Sequence, residues 1–264
     1  MSLFFFLILA FWLYLVGLGL LASRFAVGNT GFLGRFFDRA LRSVDDCLGG
    51  GLCRRVVVLA SGGLDTAVLL RLLEIYGARI IALSINTRSR APREREALRD
   101  MLSAIKGVEA FYEVDARDLM EAVELVGLGY SAMTGREPYY VPARNVIFFG
   151  YALYIAEIHG ACAILTAHNG DDSQRLPDVS QAFLEDIAKI ARYYVPGIRI
   201  CSPLLPLNKV EVTALGLGIG APIERSWSCY DNRPSPCGKC KGCIEREHAL
   251  KKAREIINSG DRAT

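Results

Sequence analysis

The stretch VVVLASGGLDTAVLL (56–70) limits the fold more than any other part of the chain. VVVLA (56–60) is a short β-branched run fit for a buried parallel strand. Two adjacent glycines follow. Then Val68, Leu69, Leu72 and Leu73 recur on one face of a helix, with Gly77 where a C-terminal stop belongs. The same alternation continues downstream. RIIALSI (79–85) reads as a strand and RAPREREALRDMLSAI (90–105) as a charged amphipathic helix. Residues 110–114 read as a strand, 145–159 as a helix stopped by Gly160, CAILTA (162–167) as a buried strand, and 181–192 and 210–217 as helices. Strands and helices alternating at this spacing predict an α/β fold, a Rossmann-like doubly wound parallel sheet covered on both faces. With 264 residues, 52% of them hydrophobic and 22% charged, the chain can fill the core such a sheet needs. There is no internal repeat and no low-complexity linker.

The glycine turn has chemical consequences. A strand that ends in Ser-Gly-Gly and continues as a helix leaves the first helical N–H groups unpaired and aimed at the turn. Glycine lets a phosphate approach that backbone closely. Ser61 and Thr66 add hydroxyl donors. Asp65 would repel a phosphate unless a cation lies between them, and its bland alternative is a helix-capping acid. No G-x-x-x-x-G-K-[ST] occurs, so a Walker-type γ-phosphate transfer is not supported. GLGIGA (216–221) follows a helix and reads as a turn, not a dinucleotide fingerprint.

The beginning of the chain differs from the rest. Residues 3–22 carry no charge, long enough to span a bilayer as a helix, and Arg24, Arg35, Arg39 and Arg42 follow. A genuine anchor would leave the remainder in the cytoplasm. The alternatives are translation from a start codon placed too far upstream, with nothing downstream needing residues 1–50, and a hydrophobic hairpin docked on the domain. The domain reading is therefore a hydrophobic extension (1–50), an α/β domain carrying the anion-binding turn (54–225) and a cysteine-bearing tail (226–264). The net charge of +3 is too mild to announce a nucleic-acid binder, and no direct nucleic-acid contact is expected.

Eight cysteines are too few for a disulfide scaffold at this length. Cys47, Cys53, Cys162 and Cys201 are scattered, whereas Cys229, Cys237, Cys240 and Cys243 crowd together as C-x7-C-x2-C-x2-C among turn formers. Four thiolates on such short arms favour a closed, structural, tetrahedral Zn²⁺ site and a reducing compartment. An iron–sulfur cluster is the rival and disulfides the third option.

Ser61-Gly62-Gly63-Leu64-Asp65-Thr66 resembles the S-G-G-x-D-S loop of the PP-loop ATP pyrophosphatases, which implies an adenine nucleotide alpha hydrolase-like sheet that uses ATP with Mg²⁺. The nucleotide segment then comprises Ala60, Ser61, Gly62, Gly63, Leu64, Asp65, Thr66, Ala67, Val68, Leu69 and Leu70. From Val56 to about His248 the chain is similar to the 7-cyano-7-deazaguanine synthase family. The likeness rests on VPARN (141–145), HNGDD (168–172), Pro177-Asp178, SPLLPLNKVEV (202–212), SWSCY (226–230) and PCGKCKGC (236–243). The resemblance implies ATP-dependent conversion of 7-carboxy-7-deazaguanine and ammonia to the nitrile, on the path to queuosine or archaeosine, by a cytoplasmic homodimer. Asp65, Arg144 and Lys209 would be catalytic: Asp65 helps to position Mg²⁺, and the two cations neutralise developing charge. Asn145, Asn169, Asp172 and Asp178 would read the purine-like ring. The plainer alternatives are a capped helix at Asp171-Asp172, a surface ion pair at Arg144, a solvated loop lysine at Lys209, and a structural hydrogen bond at His168.

Two segments depart from the family pattern. NTRSRAPRER (86–95) replaces a Tyr-Gly-Gln with its basic stretch, and Leu176-Pro177-Asp178-Val179-Ser180 replaces Tyr-Pro-Asp-Cys-Arg. Another PP-loop enzyme, tRNA-modifying or amide-forming, is the alternative. A tRNA thiolase would want a catalytic cysteine pair outside the tail, and none is evident between 54 and 228. A non-enzymatic ATP- or zinc-binding protein is the alternative from another class.

Overall fold

The computed structural model describes residues 32–87, 90–117, 143–231 and 233–260. The apolar span 3–22 lies outside them, and among the described residues no helix is long and apolar enough to cross a membrane.

Among the described residues, five strands form one parallel sheet: β1 (Arg55–Leu59), β2 (Arg79–Asn86), β3 (Val108–Asp115), β4 (Ala163–Leu165) and β5 (Arg199–Cys201), in the order β3-β2-β1-β4-β5. The order reverses at β1, which pairs with β2 on one side and β4 on the other. In such sheets ligands bind outside the carboxyl ends of the strands at that reversal. The Ser-Gly-Gly turn leaves β1 there.

The helices are α1 (Phe32–Leu48), α2 (Leu64–Tyr76), α3 (Pro92–Ala104), α4 (Arg144–His159), α5 (Gly170–Arg175), α6 (Gln181–Ala191), α7 (Lys209–Gly218) and α8 (Lys241–Gly260). Alternation along the strands builds two cores. Val56 and Val58 of β1, Ile80 and Ala82 of β2, and Leu165 of β4 face the layer of α1, α2 and α7. Val57, Ile81, Leu83 and Ile164 face the layer of α4 and α6. Each central valine is fully buried, and burying such a side chain contributes about 1.5–3 kcal/mol. The sequence-based elements recur with shifts of a residue or two, and GLGIGA is the end of α7 with Gly220 at φ +64.

Two expectations fail. Residues 32–48 are not dispensable to the α/β domain: Phe36, Ala40, Val44 and Leu48 of α1 are buried in the core on α2 and α7. Their four-residue spacing is helical, and the neighbouring apolar run 3–22 drew attention away from it. The scattered cysteines also do not stay apart. Cys47 comes beside Cys201 and Cys53 beside Cys162, with Cα atoms 6.1 and 5.6 Å apart. These contacts place the end of α1 and its exit loop against the β4–β5 side of the sheet. Their partners lie 154 and 109 residues away, so only the tertiary fold brings them together.

Replacing Phe36 by Ala should cost about 3–5 kcal/mol of unfolding free energy, read from chemical denaturation. An unchanged midpoint would mean that α1 is not part of the folded body.

Candidate functional site

The turn after β1 is built to be short. Ala60 N–H donates to Leu83 O at 2.8 Å, continuing the sheet for one residue past the strand. Gly62 then takes φ +97, a conformation side chains rarely adopt, and a Cβ there would collide with the Glu94 carbonyl oxygen. Gly63 is the N-cap of α2, and no side chain caps the helix. The N–H groups of the first turn of α2 therefore face the turn without intrahelical acceptors. The two hydroxyls brace the loop itself. Ser61 Oγ accepts from Gly63 N–H at 3.1 Å and lies 3.1 Å from Thr66 Oγ1, which accepts from Ser61 N–H at 3.3 Å. Leu64, Ala67, Val68, Leu69 and Leu70 are buried and root α2 in the core.

Asp65 and Lys209 meet across 144 residues of sequence, with Lys209 Nζ 2.6 Å from Asp65 Oδ2. The other oxygen, Oδ1, is buried and has no hydrogen-bond partner among the described residues. Burial pushes the Asp65 carboxyl above its ordinary value, Lys209 pulls it down, and Asp172 adds to the upward push. Lys209 is fixed as the first residue of α7. The Asn208–Glu211 capping box starts that helix, and Lys209 N–H donates to Asp171 Oδ2 at 2.9 Å.

The HNGDD segment is a second helix start beside the first. Asn169 Oδ1 accepts from Asp171 and Asp172 N–H, and Asp172 Oδ2 accepts from Asn169 N–H at 3.2 Å, a complete capping box. Asn145, buried on α4, donates its amide to Asp178 O at 3.0 Å and Asp178 Oδ2 at 2.9 Å. The polar atoms of Asn145, Asn169 and Asp172 thus hold the elements around the hollow together. His168 Nδ1 lies 3.0 Å from Thr166 Oγ1. Burial pushes its imidazole down to about 4, Arg144 adds to that, and Asp65 and Asp178 oppose it. Arg144, the first residue of α4, acts on Glu94 as well, so its charge spans the site.

Three contributors were missed in the sequence. Arg90 donates to the Ser84 hydroxyl and to the Ser61 carbonyl, tying the β2–α3 connection to the loop. Glu94 follows it on α3. Trp227 N–H donates to Gly62 O at 3.0 Å, and its indole Nε1 donates to Cys229 O at 2.8 Å. Arg90 and Glu94 sit in the segment 86–95, whose departure from the family pattern concealed them. Trp227 lay inside SWSCY, where the cysteine dominated.

The four tail cysteines converge: their sulfurs all lie within 4.8 Å of one another, with Cys237–Cys243 at 4.0 Å and Cys229–Cys240 at 3.9 Å. That quartet could hold a metal ion. Backbone N–H groups of Asp231 and Cys237 donate to Cys229 Sγ at 3.3 Å, as second-layer donors to thiolates do. Gly242 is required inside the motif, because a Cβ there would collide with the Ser228 carbonyl oxygen. Arg246 of α8 binds the Ser226 hydroxyl and Ile223 O, anchoring the tail's entry. Tail and loop share one hollow of about 200 Å³, whose walls include Gly63, Asp65, Glu94, Lys209, Trp227 and Arg246.

Residues 55–254 match the family described as "Queuosine biosynthesis protein QueC". A 7-cyano-7-deazaguanine synthase of Gloeothece citriformis (strain PCC 7424) is 33% identical over 216 residues, covering 74% of this chain and 90% of the relative. A 7-cyano-7-deazaguanine synthase 2 of Desulfitobacterium hafniense (strain Y51) is 32% identical over 234 residues, covering 80% of this chain and 96% of the relative. Among solved structures, the NMN synthetase from Francisella tularensis has a TM-score of 0.54 at 15% identity, covering 88% of this chain and 94% of its own. At that identity the likeness is one of fold.

Stripping metal from the tail should weaken nucleotide binding, since the Trp227–Gly62 bond joins the cysteine loop to the glycine turn. Titrating ATP onto chelator-treated and untreated protein reads this directly, and equal affinities would contradict it. His168 gives a second test. Its folded-state pKa lies below the ordinary 6.5, so its stabilisation is present above that value and is lost as pH falls through about 4. An imidazole NMR titration of the folded protein should show its midpoint near 4.

Proposed function

The chain belongs to the QueC family, and on that premise we propose that it is a 7-cyano-7-deazaguanine synthase. It uses ATP and ammonia to turn 7-carboxy-7-deazaguanine into the nitrile on the way to queuosine or archaeosine. The observation that carries the reading is the uncapped start of α2 beside a buried carboxylate oxygen, Asp65 Oδ1, that has no partner among the described residues. The N–H groups there suit phosphate oxygens, and the orphan oxygen suits a hard cation bridging acid and polyphosphate. Mg²⁺, when bound, supplies charge neutralisation on the polyphosphate.

A carboxylate is a poor electrophile. Its oxygen attacks the α-phosphorus of ATP, pyrophosphate leaves, and the acyl-adenylate gives ammonia a group to displace. The amide so formed has an equally poor leaving oxygen, which calls for a second adenylation at the same site. The loop N–H groups hold the polyphosphate. Lys209 and Arg144 stabilise charge that grows on it, which is worth most in a recessed, water-poor hollow. The capping boxes at Asn169 and Asn208 hold Asp171 and Lys209 in register.

Zinc is the metal we assign to Cys229, Cys237, Cys240 and Cys243. Sulfur separations of 3.9 and 4.0 Å suit a tetrahedral ion with metal–sulfur bonds of about 2.3 Å. A multi-iron cluster would have to fit its own metal–metal edges inside the quartet and would spread the sulfurs wider. Four protein ligands leave no open position, so the role is structural. A homodimer and a cytoplasmic site of action belong to the same proposal, on the family resemblance and the ATP requirement. A different acceptor is the second reading. It is favoured by the 176–180 segment, where Val179 is fully buried and Ser180 caps α6, uses that serve the fold.

Incubation with ATP, Mg²⁺, ammonia and 7-carboxy-7-deazaguanine should yield the nitrile by mass spectrometry, with two AMP per product. Asp65→Asn and Lys209→Met should each lower the rate on the order of 10²–10³-fold. No nitrile from the parent protein would exclude this acceptor, and parent-level rates in both variants would exclude the assigned roles.

A further inference from the structure

Glu94 is an acid in the wall of the hollow, and neither adenylation makes use of it. It is the third residue of α3, and its backbone lies against the loop so closely that Gly62 admits no side chain. The carboxylate is therefore carried over the turn by a rigid contact, not by a mobile loop. Ser61 lies near enough to favour the charged form of this carboxyl.

The bland account of Glu94 is a structural ion pair with Arg90. The guanidinium is turned elsewhere. Its terminal nitrogens bind Ser84 and the Ser61 carbonyl. Its Nε lies 3.7 Å from Glu94 Oε2 and makes no hydrogen bond among the described residues. Arg90 thus supplies positive charge without occupying the acceptor. Among the described residues, the charged groups facing Glu94 are Arg90 from the β2–α3 connection and Arg144 from α4. Across the hollow stand Asp65 from α2, Lys209 from α7, and Glu245 and Arg246 from α8.

We propose that Glu94 is the general base of the amination step, accepting the proton that ammonia loses as it attacks the acyl-adenylate. The proposal rests on the chain being a nitrile-forming synthase. In the step, ammonia's lone pair forms the C–N bond. The C–O bond to AMP breaks with its electron pair on the phosphate oxygen, and one N–H proton passes to a Glu94 carboxylate oxygen. The carboxyl then returns the proton to solvent, which its 25% exposed side chain reaches. Burial pushes this carboxyl up to about 7, against the pull of Arg90, Arg144 and Ser61, which matches a proton acceptor working near neutrality.

Glu94→Gln tests this through two readouts. Pyrophosphate–ATP exchange dependent on 7-carboxy-7-deazaguanine, without ammonia, reports adenylation, which needs no base. Nitrile formation with ammonia, measured from pH 5.5 to 9, reports the step proposed. E94Q should keep exchange within about two-fold of the parent while nitrile formation falls on the order of 10²–10⁴-fold and loses the acid limb near pH 7. Glu94→Asp should keep the limb. An E94Q protein with parent-like nitrile rates and an unchanged limb overturns the proposal. So does loss of exchange together with nitrile, which marks a structural role at the loop. A parent protein with neither exchange nor nitrile overturns the synthase assignment and takes the proposal with it.

Discussion

An α-helix that starts uncapped at the carboxyl edge of a parallel sheet is the constraint on which the rest of the site depends. The sheet decides where it stands, because β1 is the strand at which the order β3-β2-β1-β4-β5 turns back on itself. The core decides that it cannot retreat, since Leu64 through Leu70 of α2 are buried apart from the Asp65 side chain that reaches the hollow. The starts of α5, α6 and α7 are capped by Asn169, Ser180 and Asn208, whereas α2, α3 and α4 have no side-chain cap. What sets α2 apart is that its uncapped start follows two glycines at the end of β1, where the sheet order reverses. Unsatisfied donors next to a buried core are costly unless a ligand meets them, and that is the physical argument for an anion there.

The turn is held from two sides, and this links parts of the chain that look independent in the sequence. From one side, α3 presses its Glu94 carbonyl where a Cβ on Gly62 would go, and Arg90 grips the Ser61 carbonyl. From the other, Trp227 bonds the Gly62 carbonyl as the chain enters the cysteine loop. Gly62 therefore has one backbone oxygen fixed by the tail and one face closed by α3. The tail is more than a separate appendage. Its sulfur quartet begins at Cys229, and residues 227–230 form a wall of the hollow.

What could be read from the sequence was whatever chemistry is written locally. The glycine turn announces itself because strand, turn and helix are contiguous, and the cysteine quartet because its ligands span only a few residues of each other. The elements missed were those whose meaning comes from distance. The α1 face of Phe36, Ala40 and Val44 has the right period, yet its burial depends on α2 and α7 arriving against it. The strand at 199–201 is three residues long and exists because β4 offers it an edge. The cysteine pairs bring together positions more than a hundred residues apart. Glu94 reads as one more charge on an amphipathic helix until the loop is seen beneath it. Asn169 and Asp172 show the converse: polar residues in a ligand-like string whose side chains close a capping box.

The Asp65–Lys209 pair is where the glycine turn, the helix caps and the charge of the hollow meet. A buried carboxylate beside a helix start is stabilised by the dipole, yet next to a polyphosphate it would be repelled. Lys209 resolves half of that conflict by binding Oδ2 and leaving Oδ1 unpartnered. The pair is only partly buried, with the Asp65 and Lys209 side chains 19% and 27% exposed, so solvent screens their attraction. Such a pair is weak evidence for stability as such. Its location is better explained by the charge that must be balanced when anions crowd the hollow. Lys209 can do so only because Asn208 and Glu211 start α7 at that point and Asp171 holds its N–H. The cation at the centre is thus set by two helix caps, one on α5 and one on α7, which is why residues that never face the nucleotide turn are as constrained as those that do.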